Sequence, residues 1–140
     1  MNQTDPDKLR YLSWWRAIGW LLVVYVSYAS LAPGPVYEHP PRWDKVGHFL
    51  AYFTLMWWFA QVWPWSRHRR IAAAFAAMGI GMEFLQEMTG YRTLELGDMV
   101  ADVCGVVIGW WLYQGPLGRV VMALDTLLRR GGRPGWEGEG

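Results

Sequence analysis

The chain has 140 residues, enough for one domain, and its 13 basic residues nearly balance 12 acidic ones at a net charge of +1. That balance excludes the basic footprint of a nucleic-acid-binding protein. The sequence is 53% hydrophobic with 11 tryptophans, yet its mean hydropathy is only +0.04, because apolar residues are gathered into blocks while both ends carry Arg, Gly and Pro. The single Cys104 allows no internal disulfide and reads as a small packing residue of the last block.

Four apolar blocks follow one another, at about residues 17–31, 46–63, 71–86 and 99–113. Trp14, Trp15 and Arg16 stand at the entrance to the first, Pro64 stops the second, a small-residue run from Ile71 to Ala77 opens the third, and Gly115-Pro116 follows the fourth. Each is near the short end of the ~17–25 residues that a spanning helix needs. Buried helices of a soluble bundle would show a polar face at 3.6-residue spacing, and residues 51–60 show little of one. The expected fold class is therefore all-α: an integral membrane bundle of four transmembrane helices plus a short C-terminal amphipathic helix. In domain terms this means an N-terminal segment 1–13, a transmembrane domain 14–113 with a motif core at 43–111, an interfacial helix 114–130 and a disordered tail 131–140 containing five glycines. Val120, Val121, Leu124, Leu127 and Leu128 recur at helical spacing beside Arg119, Arg129 and Arg130, as in a helix lying on a membrane surface. The connection 33–43, with Pro33, Pro35, Pro40 and Pro41, is expected to be stiff and extended.

With four spans, ten of the 13 basic residues fall on the side of the termini and the second connection, against Arg42, Lys45 and Arg92 on the other. The positive-inside rule then places both termini in the cytoplasm, in a plasma (inner) membrane. Trp14, Trp15, Trp57, Trp58, Trp63, Trp65, Trp110 and Trp111 lie towards the same side, as an interfacial belt would. A competing reading takes the first block as a signal peptide cleaved after Ser30-Leu31-Ala32, but Pro33 would directly follow the cut.

Polar residues collect at the opposite, outer ends of these spans. Asp44, His48 and Tyr52 share one helical face at i, i+4 and i+8, with Lys45 beside them, and Glu83 and Gln86 are neighbours at i, i+3. Arg92 and Glu95 lie just past the third block. Asp98, Asp102, Gly105 and Gly109 form one stripe, and the G-x-x-x-G pair lets another helix pack against it. Ionisable groups within the apolar slab cost roughly 2.5–3.5 kcal/mol each near its centre, so several converging from three helices mark a site. Structural roles compete with this reading. Asp44 and Asp98 are placed to be N-caps, Lys45 to snorkel, His48 to pack with a hydrogen bond, Arg92 to neutralise Glu83, Glu95 or Asp98, Gln86 to satisfy a backbone group, and Asp102 to be structural. A metal site of His48 with Glu83, Asp98 and Asp102 is chemically feasible, but no dense His/Cys spacing supports one, so neither metal nor cofactor is expected.

The pattern Asp44-Lys45-x-x-His48-Phe49-x-x-Tyr52, then Glu83-x-x-Gln86, Arg92, Asp98 and Gly105, resembles the VanZ-like membrane proteins over residues 43–111. The resemblance implies a small multi-pass protein and a link to teicoplanin resistance, without a settled biochemical activity. This chain departs from the family's usual Asn four residues after the aspartate of the fourth helix, having Asp102 there. The leading expectation is an outward-facing pocket that binds a lipid-linked or glycopeptide-like envelope ligand through Asp44, Lys45, His48, Glu83, Gln86, Arg92, Asp98 and Asp102. Lys45 and Arg92 would contact its anionic groups. The alternatives are a hydrolase or transferase acting on a lipid headgroup with Glu83 or His48 as general base, and a small proton-coupled transporter. The bilayer is the expected partner, and nucleic acid is not.

Overall fold

The computed structural model describes residues 5–33, 41–90 and 92–131. Among these the chain is all helical: a 3-10 turn at Pro6–Lys8, α1 (Leu12–Leu31), α2 (Pro41–Val62), α3 (Trp65–Met88), α4 (Leu96–Tyr113), a second 3-10 turn at Pro116–Arg119, and α5 (Val120–Gly131). The expected disorder of the tail and most of the expected proline-stiffened connection lie outside the described residues. Residues 41–43 are already helical, where an extended connection was expected. A proline in the first turn donates no hydrogen bond that the helix needs.

Every long helix overruns its apolar block, because helical hydrogen bonding does not require apolar side chains. Breakers set the ends instead: Pro64, extended at φ −66° and ψ 149°, separates α2 from α3. Asp44 and Asp98 consequently sit inside the first turns of α2 and α4. Asp98 is thus no N-cap; Glu95 holds that position in α4.

The four long helices alternate in direction. Near the start of α1, the Trp15 carbonyl accepts from the Trp58 indole in the second half of α2 at 3.0 Å. At the other end, the Ser30 carbonyl accepts from the Gln86 amide near the end of α3 at 2.8 Å. α2 and α4 run parallel and touch backbone to backbone. A Cβ on Gly109 would lie 2.6 Å from the Phe53 carbonyl oxygen, and one on Gly105 would collide with the carbonyl oxygen of Phe49. Phe49, Phe53 and Trp57 stack in sequence along the same side of α2, with ring centroids 6.1 and 6.5 Å apart.

α2 is the central helix. Tyr52, Leu55, Met56, Phe59, Ala60, Gln61 and Val62 are all buried, with Val26, Phe75, Val106 and Tyr113 packed round them from the other helices. The missing polar face of residues 51–60 therefore has a cause inside the protein, the three helices that surround α2. The outer helices tell the opposite story. Leu21, Val24, Phe84, Leu85, Val100, Val107 and Trp111 are exposed. Cys104 is exposed too and packs against nothing in the core, contrary to the sequence expectation. Two helices, α3 and α4, are long and apolar enough to cross a membrane, with only 28% and 33% of their apolar stretches buried within the chain. Core helices of a soluble protein would be mostly covered. α1 and α2 have the length, but Trp, Tyr and the polar first turn of α2 dilute their apolarity.

The end opposite the polar cluster is closed by a clamp on Asp125. Its carboxylate, 1% exposed, accepts from the backbone N–H groups of Arg10 (3.1 Å) and Tyr11 (3.0 Å) and from the Trp15 indole (3.0 Å), and it pairs with Arg129 at 2.8 Å. The Gln61 side chain accepts from the Val121 N–H at 2.9 Å. α5 thus docks through Val121 and Asp125, while Leu124, Leu127 and Leu128 stay exposed.

Two outcomes are expected. Gly105→Val should lower stability by about 3 kcal/mol or more, the upper end of overpacking costs, because a backbone carbonyl cannot step aside. Gly81→Ala, where a Cβ meets nothing within 4 Å, should be neutral or stabilising by a few tenths of a kcal/mol up to about 1; thermal unfolding in detergent compares the two. The second concerns pH. Burial pushes the Asp125 carboxyl up, but the hydrogen bonds from Trp15, Tyr11 and Arg10 and the Arg129 charge outweigh it and hold the carboxyl below the usual carboxylate range. A depressed folded pKa stabilises above the unfolded value near ~3.9 and is lost as pH falls through the folded one. Hydrogen exchange across α5, corrected for intrinsic rates, should show protection at neutral pH that is lost in the wild type only as the pH falls below the usual carboxylate range, through the depressed folded value. An Asp125→Asn variant should lack that acid-dependent step.

Candidate functional site

The α2–α4 register brings the polar residues together. His48 stands opposite Asp102, with Nδ1 3.0 Å from Oδ1. An ionised Asp102 can only accept, so Nδ1 then carries a proton, and a neutral imidazole in that tautomer leaves the lone pair on Nε2. That Nε2 faces Glu83 Oε1 at 3.8 Å and Asp98 Oδ2 at 4.0 Å, both beyond hydrogen-bond reach. One turn nearer the helix start, the Lys45 ammonium bridges Glu95 (2.6 Å) and Asp98 (3.0 Å). α3 enters antiparallel, bringing Glu83 to the cluster, where Oε2 accepts from the Glu95 N–H at 3.2 Å. Gly79 of α3 leaves the space into which the Asp102 carboxylate fits, since a Cβ there would lie 2.7 Å from Oδ2.

Arg92, just after α3, places one guanidinium nitrogen 2.9 Å from each oxygen of Asp44 and another 3.4 Å from the Ser30 carbonyl. Its ionic partner is therefore Asp44, in place of the expected Glu83, Glu95 or Asp98. Lys45 does not snorkel away from the cluster; it is the cation that accompanies Asp98. Gln86 satisfies a backbone group, as one sequence reading had it, and that group belongs to α1. The sequence-selected residues thus lie in two neighbouring groups. Arg92 gathers with Asp44 and Gln86 about the Ser30 carbonyl, and Lys45, His48, Glu83, Asp98 and Asp102 gather about the imidazole. Glu83, Gln86, Asp98 and Asp102 are buried.

A cleft of about 280 Å³ runs between α1 and α2 beside this network. At its outer end it is lined by Ser30, Asp44, His48 and Arg92, and deeper by Tyr25, Val26, Ala29, Ala51 and Tyr52. Its polarity falls with depth because α1 and α2 run antiparallel, each moving from polar to apolar positions in step. The wall supplied by α1, and Ser30 above all, was not found in the sequence. The first block has no ionisable residue at that end, and the group that α1 contributes is a main-chain carbonyl, which leaves no mark on residue identity.

Two chemical properties follow. Among the described residues the carboxyl groups of Asp44, Glu83, Glu95, Asp98 and Asp102 are set against the fixed cations of Lys45 and Arg92, so acidic groups outnumber fixed cations in the cluster. Three of its buried oxygens, Tyr52 OH, Glu83 Oε1 and Asp102 Oδ2, have no hydrogen-bond partner among the described residues. A buried polar group left so costs about 1–3 kcal/mol, which packing alone does not require.

Alternating helices, two with uncovered apolar faces of spanning length, and an ionisable network at one end point to the class of small helical membrane proteins. The VanZ/LLP1 family model matches residues 7–121, and the chain belongs to that family. It is similar to the uncharacterized protein C11E3.10 of Schizosaccharomyces pombe (strain 972 / ATCC 24843), at 36% identity over 94 residues that make up 64% of this chain and 56% of the relative. The chain thus spans little more than half the length of the curated relative it matches. No solved structure matches the chain.

Proposed function

We propose that this protein crosses the membrane four times, with both termini in the cytoplasm, and that its outward-facing cleft binds a lipid-linked ligand of the cell envelope. The observation that carries the reading is the gradient along the cleft. Asp44, His48 and Arg92 stand at the mouth, and Tyr25, Val26 and Ala51 line the depth, which suits a polar headgroup above an apolar chain. The exposed apolar faces of α1, α3 and α4 are then lipid-facing surface.

The charge distribution decides how an anionic headgroup would be met. Lys45 is bound to Glu95 and to the buried Asp98, so releasing it would strand a carboxylate. The carboxylate that holds Arg92 is by contrast half-exposed, Asp44 at 48% of side-chain area against 5% for Asp98, so water can take over Asp44 when Arg92 leaves it. Arg92 is the residue that exchanges Asp44 for a phosphate or carboxylate of the ligand. Loss of the protein would alter envelope integrity, including sensitivity to teicoplanin-type glycopeptides. A second reading, a hydrolase or transferase acting on the same headgroup, is favoured by the Asp102–His48 pair, in which Nε2 is left free to take a proton.

Reporter fusions after Trp65 and Leu128 should report cytoplasm and one after Gly90 the outside; an outside signal at Leu128 would reverse the sidedness of the cleft. Protein purified in native-membrane nanodiscs should carry a co-purifying envelope lipid, identified by mass spectrometry. Arg92→Lys, which loses the planar fork, should deplete it by roughly tenfold at normal expression. Equal lipid profiles for wild type and variant would remove the support for a headgroup pocket, and turnover of the bound lipid would promote the enzymatic reading.

A further inference from the structure

We infer that His48, Glu83 and Asp98, with Asp44 at the mouth, form a binding site for one divalent first-row transition cation, Zn2+ or Mn2+. The site shares the cleft but does not depend on the lipid reading.

Four observations converge. One ligand atom from each of Asp44, His48 and Asp98 lies within 4.8 Å of the others. His48 Nε2 stands 3.8 Å from Glu83 Oε1 and 4.0 Å from Asp98 Oδ2. With metal–donor distances of about 2.0–2.2 Å, two donors sharing a cation are about 3.4 Å apart at a tetrahedral angle and at most about 4.4 Å, so these separations fit a shared ion where they are too long for direct hydrogen bonds. Glu83 Oε1 is a buried oxygen with no hydrogen-bond partner among the described residues, on a residue 1% exposed, and it stands on the Nε2 side of the imidazole. Finally, Asp102 holds Nδ1 of His48 at 3.0 Å, which directs the lone pair of Nε2 towards the carboxylates and raises its basicity, as carboxylates behind metal-ligating histidines do.

Charge gives the same answer. The cluster holds five carboxyl groups and two fixed cations, and a divalent ion beside His48 Nε2 would offset most of that surplus. One nitrogen among oxygens selects Zn2+ or Mn2+ over the all-oxygen preference of Mg2+ and Ca2+. Protons on the carboxylates are the competing way to neutralise the cluster.

The test is direct metal binding by the full-length protein in detergent, stripped with a chelator and then dialysed against each metal. Elemental analysis of the wild type should find about one equivalent of Zn2+ or Mn2+, and the metal should raise the melting temperature of the stripped protein. Glu83→Gln should weaken binding by at least about tenfold. Cys104→Ser, which removes the exposed thiol, should bind as the wild type does. His48→Cys, a softer donor at the same place, should shift preference from Mn2+ towards Zn2+, a change that a folding defect does not produce. Wild-type protein that retains no metal above the buffer blank, that binds Mg2+ or Ca2+ alone, or that loses its metal with Cys104→Ser overturns the inference. Co-purified lipid without metal leaves the headgroup reading standing and removes only the ion; metal without lipid does the reverse.

Discussion

The close approach of α2 and α4 is the constraint on which the rest depends. Gly105 and Gly109 let the two backbones touch, and contact at that distance permits one register. In it, residue 98 faces 45 and residue 102 faces 48, so the Lys45–Asp98 and His48–Asp102 pairs are set by glycines one and two turns deeper in the bundle. Both helices must start at the same end, which requires α3 to return the chain between them. The antiparallel α3 then delivers Glu83 to the imidazole from a third direction. Small residues in the apolar half thus position the charged ones at the end.

The placement of charge follows from how each group is covered. Asp98 is 4% exposed, and Lys45 reaches it from above while holding Glu95 with the same ammonium. Asp102 is fully buried and, among the described residues, is partnered by His48. Glu83 has one oxygen held by the Glu95 backbone N–H and one left over. Isolated buried carboxylates are among the least tolerated groups in an apolar interior, and here the incomplete ones, Glu83 and Asp102, stand at the two nitrogens of one imidazole. The arrangement concentrates unsatisfied acceptors in one place where a purely structural network would spread partners evenly.

Much of this was legible in the residues. Apolar blocks separated by Pro64 and Gly115-Pro116 mark the helices, and i, i+4 spacing identifies the faces of α2 and α4. The convergence of Asp44, His48, Glu83, Asp98 and Asp102 needs only that the helices alternate. Pairings were less legible. Arg92 had three candidate carboxylates in the sequence and took a fourth, because the turn after α3 carries it across to α2. Helix starts were misplaced because polar residues such as Asp44 and Arg69 extend a helix as readily as apolar ones do. The central position of α2 was masked by its own composition: an apolar helix looks alike whether lipid or protein covers it. The ligand set of the proposed ion is dispersed over α2, α3 and α4, so no local spacing announces it.

The Asp125 clamp has a consequence for how the chain is assembled. The N–H groups of Arg10 and Tyr11 find their acceptor 115 and 114 residues later in the chain, on α5. Until α5 emerges, the base of α1 lacks this clamp and rests on its packing against α2 and Trp63. Contacts of such long separation form late. The cleft therefore gains this lock only once α5 has been made, and a chain cut short before α5 retains the charged network while leaving α1, a wall of the cleft, without it.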